Sequence, residues 1–312
     1  MDSHEFGLSH EECRERNREA VDIAQTDRWI GWSPLAALPI AVISVHKFLP
    51  PWGFMWTLAV AIYIGLKWLS WWKARDQAAH AAWRSAAYLL AWPGMDAVSF
   101  LDASQRVSPP QRRDWFWALS TTTFGAILLW VGARVVPGGA LVRGWVGMLG
   151  LILLLHFGSF QLIAFGWQRL GVNAKPIMCS PLRSTSLSEF WGKRWNLGFR
   201  QLAYDLVFRP LHKLWGVSAA GFFVFIVSGV IHDLVISLPA HGGYGLPTMY
   251  FVLQGVGVAV ERSAFGKWVG IREGVRGWLF MGVFTAAPAF WLFHRPFVLR
   301  VMIPFMEAIR AL

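Results

Sequence analysis

Apolar runs of about 20 residues dominate this sequence and constrain its fold more than any other feature. A helix needs about 20 mostly apolar residues to cross the hydrocarbon of a bilayer. Because backbone polar groups inside a bilayer must be satisfied within the chain, such runs predict an all-α polytopic membrane protein with about seven or eight transmembrane helices. The runs lie at 29–48, 52–72, 115–136, 144–166, 217–238, 246–263 and 276–294, with a shorter element at 296–312.

The composition agrees with a body that lipid covers. Hydrophobic residues make up 55% of the chain and charged residues only 15%, against roughly 25% charged residues in soluble domains. The 20 tryptophans suit anchors at the membrane interface. We therefore expect one membrane-embedded domain over 29–312, with a polar N-terminal tail over 1–28 that is partly helical from 11 to 26.

The distribution of charge predicts a topology. The chain carries a formal charge of +11, and the 169–213 loop holds eight basic and two acidic residues. Basic loops face the cytoplasm in membrane proteins, so this loop and the N-terminal tail are predicted to lie on that side. Arg134 and Arg143 go against the rule. The expected location is an integral multi-pass protein of the bacterial inner membrane or, in a eukaryote, the endoplasmic reticulum.

The sequence disfavours two alternatives, nucleic-acid binding and a fold held by disulfides. The basic residues lie between apolar runs rather than on a separate domain, which argues against nucleic-acid binding. Cys13 and Cys179 are the only cysteines, so the sequence holds no disulfide framework.

Residues 73–114 are too charged to span a membrane comfortably. An interfacial or re-entrant segment, broken at Trp92-Pro93-Gly94, is one interpretation. Two short helices on the surface of the protein are an equally good one.

His232 and Asp233 stand side by side in the apolar 217–238 run. Ionisable groups at membrane depth are costly unless they face a cavity or a partner, so they form a functional hypothesis by default. Ser228 lies four residues earlier on the same helix face, where its hydroxyl can contact the imidazole. The alternative is that His232 only hydrogen-bonds a neighbouring helix. Asp233 points about 100° away and is expected to hold architecture or a basic partner.

A second cluster lies in the basic loop before that run. Ser186 and Glu189 form a capping-box pattern that predicts the start of a short helix, with Trp191 and Trp195 on one of its faces. The alternative is an interfacial helix with aromatic anchors and no role in chemistry.

Together the two clusters resemble the membrane-bound O-acyltransferase family. That family carries a cytoplasmic Phe-Trp-x-x-x-Trp-Asn type motif, followed further along by an intramembrane Ser-x-x-x-His-Glu or Ser-x-x-x-His-Asp motif. The segment 181–196 and the segment Trp92-Pro93-Gly94-Met95-Asp96 look most like the wax-synthase branch. The chain departs from diacylglycerol acyltransferases in having Asp at 233, and it is short for the family. The two motifs read here as Phe190-Trp191-Gly192-Lys193-Arg194-Trp195-Asn196 and Ser228-Gly229-Val230-Ile231-His232-Asp233.

The resemblance implies an acyltransferase bundle of membrane helices with interfacial or re-entrant helices. It implies direct transfer of an acyl group from acyl-CoA, as co-substrate, to the hydroxyl of a lipophilic alcohol, without an acyl-enzyme. His232 would be the general base and Asn196 its polar partner. No permanently bound cofactor is implied, and membrane lipids would surround the protein. The other residues expected to bind substrates are Trp191, Lys193, Arg194, Trp195 and Ser228, with Arg200 a further candidate for the CoA phosphates.

Other readings stay open. A small-acyl transferase acting on a terpenoid, sterol or other natural product uses the same chemistry, whereas a transporter with a His/Asp proton relay or an inactive membrane scaffold does not. Among the remaining histidines, His156 is a candidate for lining a cavity. No metal is expected, because His46, His212, His241 and His294 show no ligand spacing.

Overall fold

A computed structural model of the chain describes residues 29–77 and 80–312. These residues form helices and no strands, so the predicted all-helical class is confirmed. The predicted tail helix over 11–26 and Cys13 lie outside the described residues. The helices are α1 (Trp29–Ser44), α2 (Pro51–Ala74), α3 (Ala82–Ala91), α4 (Ala97–Leu101), α5 (Arg112–Val135), α6 (Ala140–Arg169), α7 (Leu187–Glu189), α8 (Leu197–Ala240), α9 (Leu246–Arg262), α10 (Ala264–Val269), α11 (Gly274–Leu292) and α12 (Ile303–Ala308).

Five of these helices are long and apolar enough to cross a membrane: α2, α5, α6, α8 and α11. The predicted count of seven or eight is therefore not confirmed. Helix α1 has only 16 described residues, from Trp29 to Ser44, and α9 has 17. The predicted element at 296–312 divides into a short turn, a π-turn over Val298–Met302 and α12. Hydropathy located these segments, and five of them form helices of 18 or more residues within the described part of the chain.

Helix α8 has two parts: the part before Gly216, called the arm, and an apolar part after Gly216 that can span a membrane. Its 44 residues are about twice the length that a bilayer needs. Gly216 interrupts the helical backbone with φ 76° and ψ 171°, a conformation that residues with a side chain rarely adopt. The arm before Gly216 starts at the predicted motif. The part after Gly216 corresponds to the predicted 217–238 span and carries His232.

The charged 73–114 stretch forms two short helices, α3 and α4, with a break at the predicted Trp92-Pro93-Gly94. Both helices pack firmly on the protein, because Tyr88 and Phe100 are fully buried. Their apolar neighbours include Ala164 of α6 and Val172 after it. Two short helices and the break are present, and whether the segment lies at the membrane interface stays a prediction.

Helices α5 and α6 approach each other closely through glycine. A Cβ atom on Gly125 of α5 would lie 2.5 Å from the backbone nitrogen of Leu154 in α6. A Cβ atom on Gly150 of α6 would lie 2.7 Å from the backbone nitrogen of Leu129. Small residues that let helix backbones meet are a common basis of helix association in membranes.

Replacing Gly125 with alanine should therefore destabilise the protein. The added methyl meets backbone atoms, which cannot rotate away, and overpacking of this kind costs about 1–3 kcal/mol. We expect a lower thermal unfolding midpoint in detergent and a larger aggregated fraction on size exclusion. Gly166→Ala on α6 is the matched control, because nothing lies within 4 Å of its added Cβ. Equal unfolding midpoints for the two variants would contradict the close packing of α5 and α6.

Candidate active site

The two nitrogens of the His232 imidazole have different surroundings. Its Nδ1 lies 2.7 Å from the backbone carbonyl oxygen of Ser228. A carbonyl only accepts, so Nδ1 carries the hydrogen in this contact and a neutral ring keeps its lone pair on Nε2. Among the described residues nothing hydrogen-bonds Nε2. The contact with Ser228 runs through its backbone carbonyl rather than through the predicted hydroxyl, because Nδ1 reaches one helical turn back.

Helix α9 packs against α8 at the level of His232. Gly229 permits this approach, since a Cβ there would lie 2.7 Å from the Cα of Thr248 at the start of α9. One turn further, Phe251 places its ring against the imidazole, with 4.4 Å between the centroids and a 40° tilt. The histidine is thus held on two sides, by its own helix and by Phe251.

Asp233 caps α9 and plays the architectural part that the sequence analysis assigned to it. Its carboxylate accepts hydrogen bonds from the backbone nitrogens of Gly245 (2.9 Å) and Thr248 (3.0 Å), and from the Thr248 hydroxyl. These are donors at the first turn of α9, where a negative charge also meets the positive end of the helix dipole. Asp233 therefore fixes α9, and with it Phe251, relative to His232.

A buried chain of hydrogen bonds extends from Asp233 into the last part of the protein. Ser237 donates to Asp233 at 2.7 Å, and its hydroxyl lies 3.1 Å from Nε2 of His294. Nδ1 of His294 accepts from the backbone nitrogen of Phe297 and so caps the turn that follows α11. This network ties the end of α8 to α9 and to the segment before α12.

Replacing Asp233 with asparagine should weaken this junction. An amide offers one acceptor oxygen where the carboxylate offers two, and its NH2 would face backbone donors. A buried donor left unsatisfied costs about 1–3 kcal/mol, so the thermal unfolding midpoint should fall. Asp205→Asn is the matched control, since its single side-chain hydrogen bond, from Gln201, is exposed. Equal midpoints for the two variants would remove Asp233 from its capping role.

The predicted helix start at Ser186 is present, but only half of the capping box forms. The Ser186 hydroxyl accepts from the backbone nitrogen of Glu189 at 3.0 Å, and α7 follows. The Glu189 carboxylate instead accepts from the backbone nitrogen of Thr185 at 2.8 Å and pairs with Arg194 at 2.7 Å. The Thr185 hydrogen bond, with Arg194 adding to it, lowers the pKa of Glu189. This contribution to stability is present when the carboxyl is ionised and is lost as the pH falls through that lowered pKa.

The motif aromatics form a cluster beyond α7. Residues Phe190–Arg194 make a π-turn, and Trp195 leaves it with extended backbone angles. The two tryptophans therefore do not share a helix face as predicted, because the helix ends between them. Their rings still meet at 6.3 Å, and Trp195 stacks on Phe190 at 5.3 Å.

Helix α9 joins this cluster to the histidine through three residues that the sequence analysis did not single out. Phe251 contacts Trp191 at 5.6 Å as well as His232. Gln254, fully buried, accepts from the Trp191 indole at 3.2 Å and donates to the Phe284 carbonyl at 2.7 Å. Glu261, only 2% exposed, accepts from the backbone nitrogens of Leu187 and Ser188 at the start of α7. The motif and the histidine thus lie against one helix.

Asn196 follows Trp195 and begins the arm of α8 in the left-handed conformation, with φ 45° and ψ 57°. Its backbone nitrogen donates to the sulfur of Met178 at 3.3 Å, and its carbonyl accepts from Arg200. Its side-chain amide makes no hydrogen bond within the described part of the chain. Its role as the polar partner of His232 stays a prediction.

Three cations lie near the motif in different states. Arg194 pairs with Glu189 and donates to the carbonyl of Cys179. These partners largely neutralise its charge. Lys193 and Arg200 are exposed, and neither forms an ion pair among the described residues. They are the more available of the predicted phosphate ligands.

The Trp92–Asp96 segment lies beside the start of α8. The buried Lys67 of α2 donates to the carbonyl of Gly94. Asp96 pairs with Lys175 at 2.9 Å and accepts from the backbone of Ser99; burial raises the pKa of this carboxyl, but these hydrogen bonds outweigh burial and lower it overall. A Cβ on Gly198 would come 3.1 Å from the Met95 nitrogen. The segment therefore supports the backbone just after Asn196.

Comparison with known proteins finds similarity over the region that contains the motif and His232. Residues 174–253 match the Membrane bound O-acyl transferase family. A probable long-chain-alcohol O-fatty-acyltransferase 9 from Arabidopsis thaliana is 33% identical over 127 residues, which cover 36% of this chain and 37% of the relative. The long-chain-alcohol O-fatty-acyltransferase of Simmondsia chinensis is 32% identical over 136 residues, covering 40% and 38%.

A more distant relative is acyl-CoA–sterol O-acyltransferase 1 from Arabidopsis thaliana, 28% identical over 109 residues, with 31% and 32% covered. The chain thus aligns with about two fifths or less of the length of these relatives. The residues that match the family, 174–253, nevertheless include the motif, the span with His232 and the first half of α9. The predicted resemblance to the membrane-bound O-acyltransferase family, and to its wax-synthase-like members, is therefore confirmed.

Proposed function

We propose that this chain is an acyl-CoA-dependent O-acyltransferase that esterifies a lipophilic alcohol, with His232 as general base. One observation carries the proposal: Nδ1 of His232 contacts the Ser228 carbonyl, none of the described residues hydrogen-bonds Nε2, and Phe251 joins this ring to the motif tryptophan. A neutral imidazole with a free lone pair is the form that accepts a hydroxyl proton. The similar long-chain-alcohol acyltransferases support the reaction type.

The proposed reaction is a single displacement at the thioester. The alcohol oxygen attacks the acyl carbonyl carbon while Nε2 of His232 takes the hydroxyl proton. The carbon–sulfur bond then breaks, and the imidazolium returns the proton to the leaving CoA thiolate. Asn196 donates its amide to the oxyanion that forms on the carbonyl oxygen, a type of stabilisation worth about 3–4 kcal/mol. No acyl-enzyme forms, and no cofactor is required.

The surroundings suit both substrates. Lys193 and Arg200 are exposed cations beside the motif and suit the CoA phosphates. Trp191, Trp195 and Phe251 give the wall between the motif and the histidine an apolar surface that suits the acyl chain. The acceptor reaches the site from lipid, which agrees with an enzyme built from membrane helices.

The test is a product assay with the purified full chain in nanodiscs. Acetyl-CoA and palmitoyl-CoA are each offered with hexadecanol, a sterol and a terpenoid alcohol, and both ester and free CoA are measured. Ester formation from palmitoyl-CoA with stoichiometric CoA release is expected. Activity with acetyl-CoA alone would favour a small-acyl transferase. Absence of CoA release with every acceptor, together with proton flux in proteoliposomes, would favour a transporter.

A further inference from the structure

Lys67 lies within the apolar helix α2 and is almost fully buried, with 2% of its surface exposed. Seven positions separate it from Ala74 at the end of α2, which is about 10 Å along the helix at about 1.5 Å per residue. Its Nζ lies 3.3 Å from the centroid of the Tyr88 ring. In the described part of the chain no carboxylate pairs with this amine. A lysine at membrane depth is costly and forms a functional hypothesis by default.

The amine of Lys67 holds the Trp92–Asp96 segment on α2. Its Nζ donates to the carbonyl of Gly94. One turn earlier on α2, the Tyr63 hydroxyl donates to the carbonyl of Trp92 at 3.3 Å. Both carbonyls follow the end of α3, where a helix no longer supplies backbone donors for them. Helix α2 therefore provides the hydrogen-bond donors for the break between α3 and α4.

The Trp92–Asp96 segment lies in turn against the start of the arm. A Cβ atom on Gly198, two residues after Asn196, would lie 3.1 Å from the backbone nitrogen of Met95. The side chain of Met95 is 2% exposed and belongs to one buried cluster with Leu202 of the arm. Backbone and side chain of this segment thus contact the first two turns of the arm.

Helix α2 also contacts the part of α8 that carries His232. Leu58 of α2 belongs to the same buried cluster, and Leu234, two residues after His232, packs against that cluster. One helix therefore contacts the span directly and the arm through the Trp92–Asp96 segment. Because the backbone of α8 departs from the helix at Gly216, α8 by itself does not fix Asn196 relative to His232.

We propose that Lys67 is a positioning residue for Asn196. Through the Gly94 carbonyl it fixes the Trp92–Asp96 segment on α2, and this segment fixes the backbone from which the Asn196 side chain leaves. The inference rests on the proposed function, in which the Asn196 amide donates to the oxyanion. A lysine suits this task because its apolar stem packs inside the protein while its terminal nitrogen reaches a carbonyl. An oxyanion donor needs accurate placement, since an error of about 1 Å can cost about 10²-fold in rate.

The first test is a double-mutant cycle on the kcat of ester formation, with the purified full chain in nanodiscs. Lys67→Met keeps a stem of similar length and removes the donor. We expect kcat to fall by about 10–10²-fold, with both KM values within about twofold of wild type. In the Asn196→Gly background the same substitution should change kcat by less than about twofold, because the amide that Lys67 positions is already gone. An equal loss in both backgrounds would overturn the proposal.

Lys47→Met is the matched control, because Lys47 is an exposed lysine in the turn before α2. Its replacement should leave kcat near the wild-type value.

Gly198→Ala disturbs the same contact from the side of the arm and does not depend on the folding of Lys67→Met. Its added Cβ meets the Met95 nitrogen at 3.1 Å, so kcat should fall while the KM values change little. Gly221→Ala, also on α8, is its control, since nothing lies within 4 Å of the added Cβ. Wild-type kcat in a folded Gly198→Ala protein would overturn the proposal.

The second test follows the backbone and does not need turnover. Hydrogen–deuterium exchange in nanodiscs is compared among wild type, Lys67→Met and Lys47→Met. We expect only Lys67→Met to speed exchange in the Trp92–Asp96 segment and over 196–202, with exchange over 228–235 unchanged. Faster exchange confined to the Trp92–Asp96 segment, or no change at all, would contradict the positioning role.

The outcomes separate this inference from the proposed function. Faster exchange at both places in a protein that forms no ester with any acceptor would leave Lys67 as the residue that holds the start of the arm and would end the proposed reaction. Ester formation by the wild type, with equal losses in both backgrounds of the cycle and unchanged exchange, would overturn the role of Lys67 and leave the enzyme.

Discussion

Replacing His232 with glutamine or alanine should lower the rate of ester formation by about 10²–10⁴-fold, the contribution that a positioned general base makes. Glutamine is polar and of similar reach, but its amide has no basic lone pair at neutral pH. The KM values should change little, because the ring acts on the hydroxyl proton as the carbon–oxygen bond forms. CoA release and ester formation, measured together in steady state, should fall in parallel.

His212→Gln is the matched control for this experiment. His212 lies on the same helix and makes the same 2.7 Å contact from Nδ1 to a carbonyl, here that of Arg209, so its replacement costs the same kind of hydrogen bond. We expect nearly full activity in His212→Gln. A His232→Gln protein that is folded and retains more than a tenth of wild-type kcat would end the general-base assignment.

Asn196→Gly should reduce kcat by about 10²–10³-fold, as loss of one oxyanion donor does, while leaving the fold intact. Glycine is the informative substitution because Asn196 sits at φ 45°, where alanine would add backbone strain of about 1–2 kcal/mol and confuse stability with chemistry. Asn196→Asp keeps the shape of the side chain but removes the donor, so it should lose activity as well.

His241→Gly controls for the backbone effect, since His241 also adopts a left-handed conformation, with φ 47°, at the far end of α8. Both glycine variants should unfold near the wild-type temperature, and only Asn196→Gly should lose turnover. Wild-type kcat in Asn196→Gly would show that the amide takes no part in the reaction.

The sequence was sufficient to predict the helical class, the helix start at Ser186 and the position of His232 within a long span. These features depend on local properties: apolar runs, a serine three residues before a glutamate, and an ionisable group within an apolar segment. The break at Trp92-Pro93-Gly94 was predictable for the same reason, because proline and glycine act on their own backbone.

Features that depend on distant contacts were missed. Gln254 and Glu261 are buried polar residues of a mostly apolar helix, so the reasoning applied to His232 would have marked them too. Their partners are a tryptophan and a helix start more than sixty residues earlier, which one sequence does not reveal. The predicted number of spans is not confirmed, because hydropathy counts apolar residues and does not locate the ends of a helix.

The π-turns could not be predicted from the sequence either. Each adds one residue to a helical turn, and no residue type marks it, yet the turns at Leu153–Ser159 and Phe190–Arg194 determine which way His156, Phe157 and Trp195 face. Side-chain direction after such a turn cannot be read from a 3.6-residue period.

The contacts of α9 have a consequence for how the chain can vary. Phe251, Gln254 and Glu261 hold Trp191 and the start of α7 beside His232 through contacts that do not involve the arm. The rotation of the arm about its own axis does not set the direction in which His232 points, because the backbone departs from the helix at Gly216. We expect residues added or removed just before Gly216 to shift the arm and Asn196 at its start, while Trp191 and α7 keep their place beside His232.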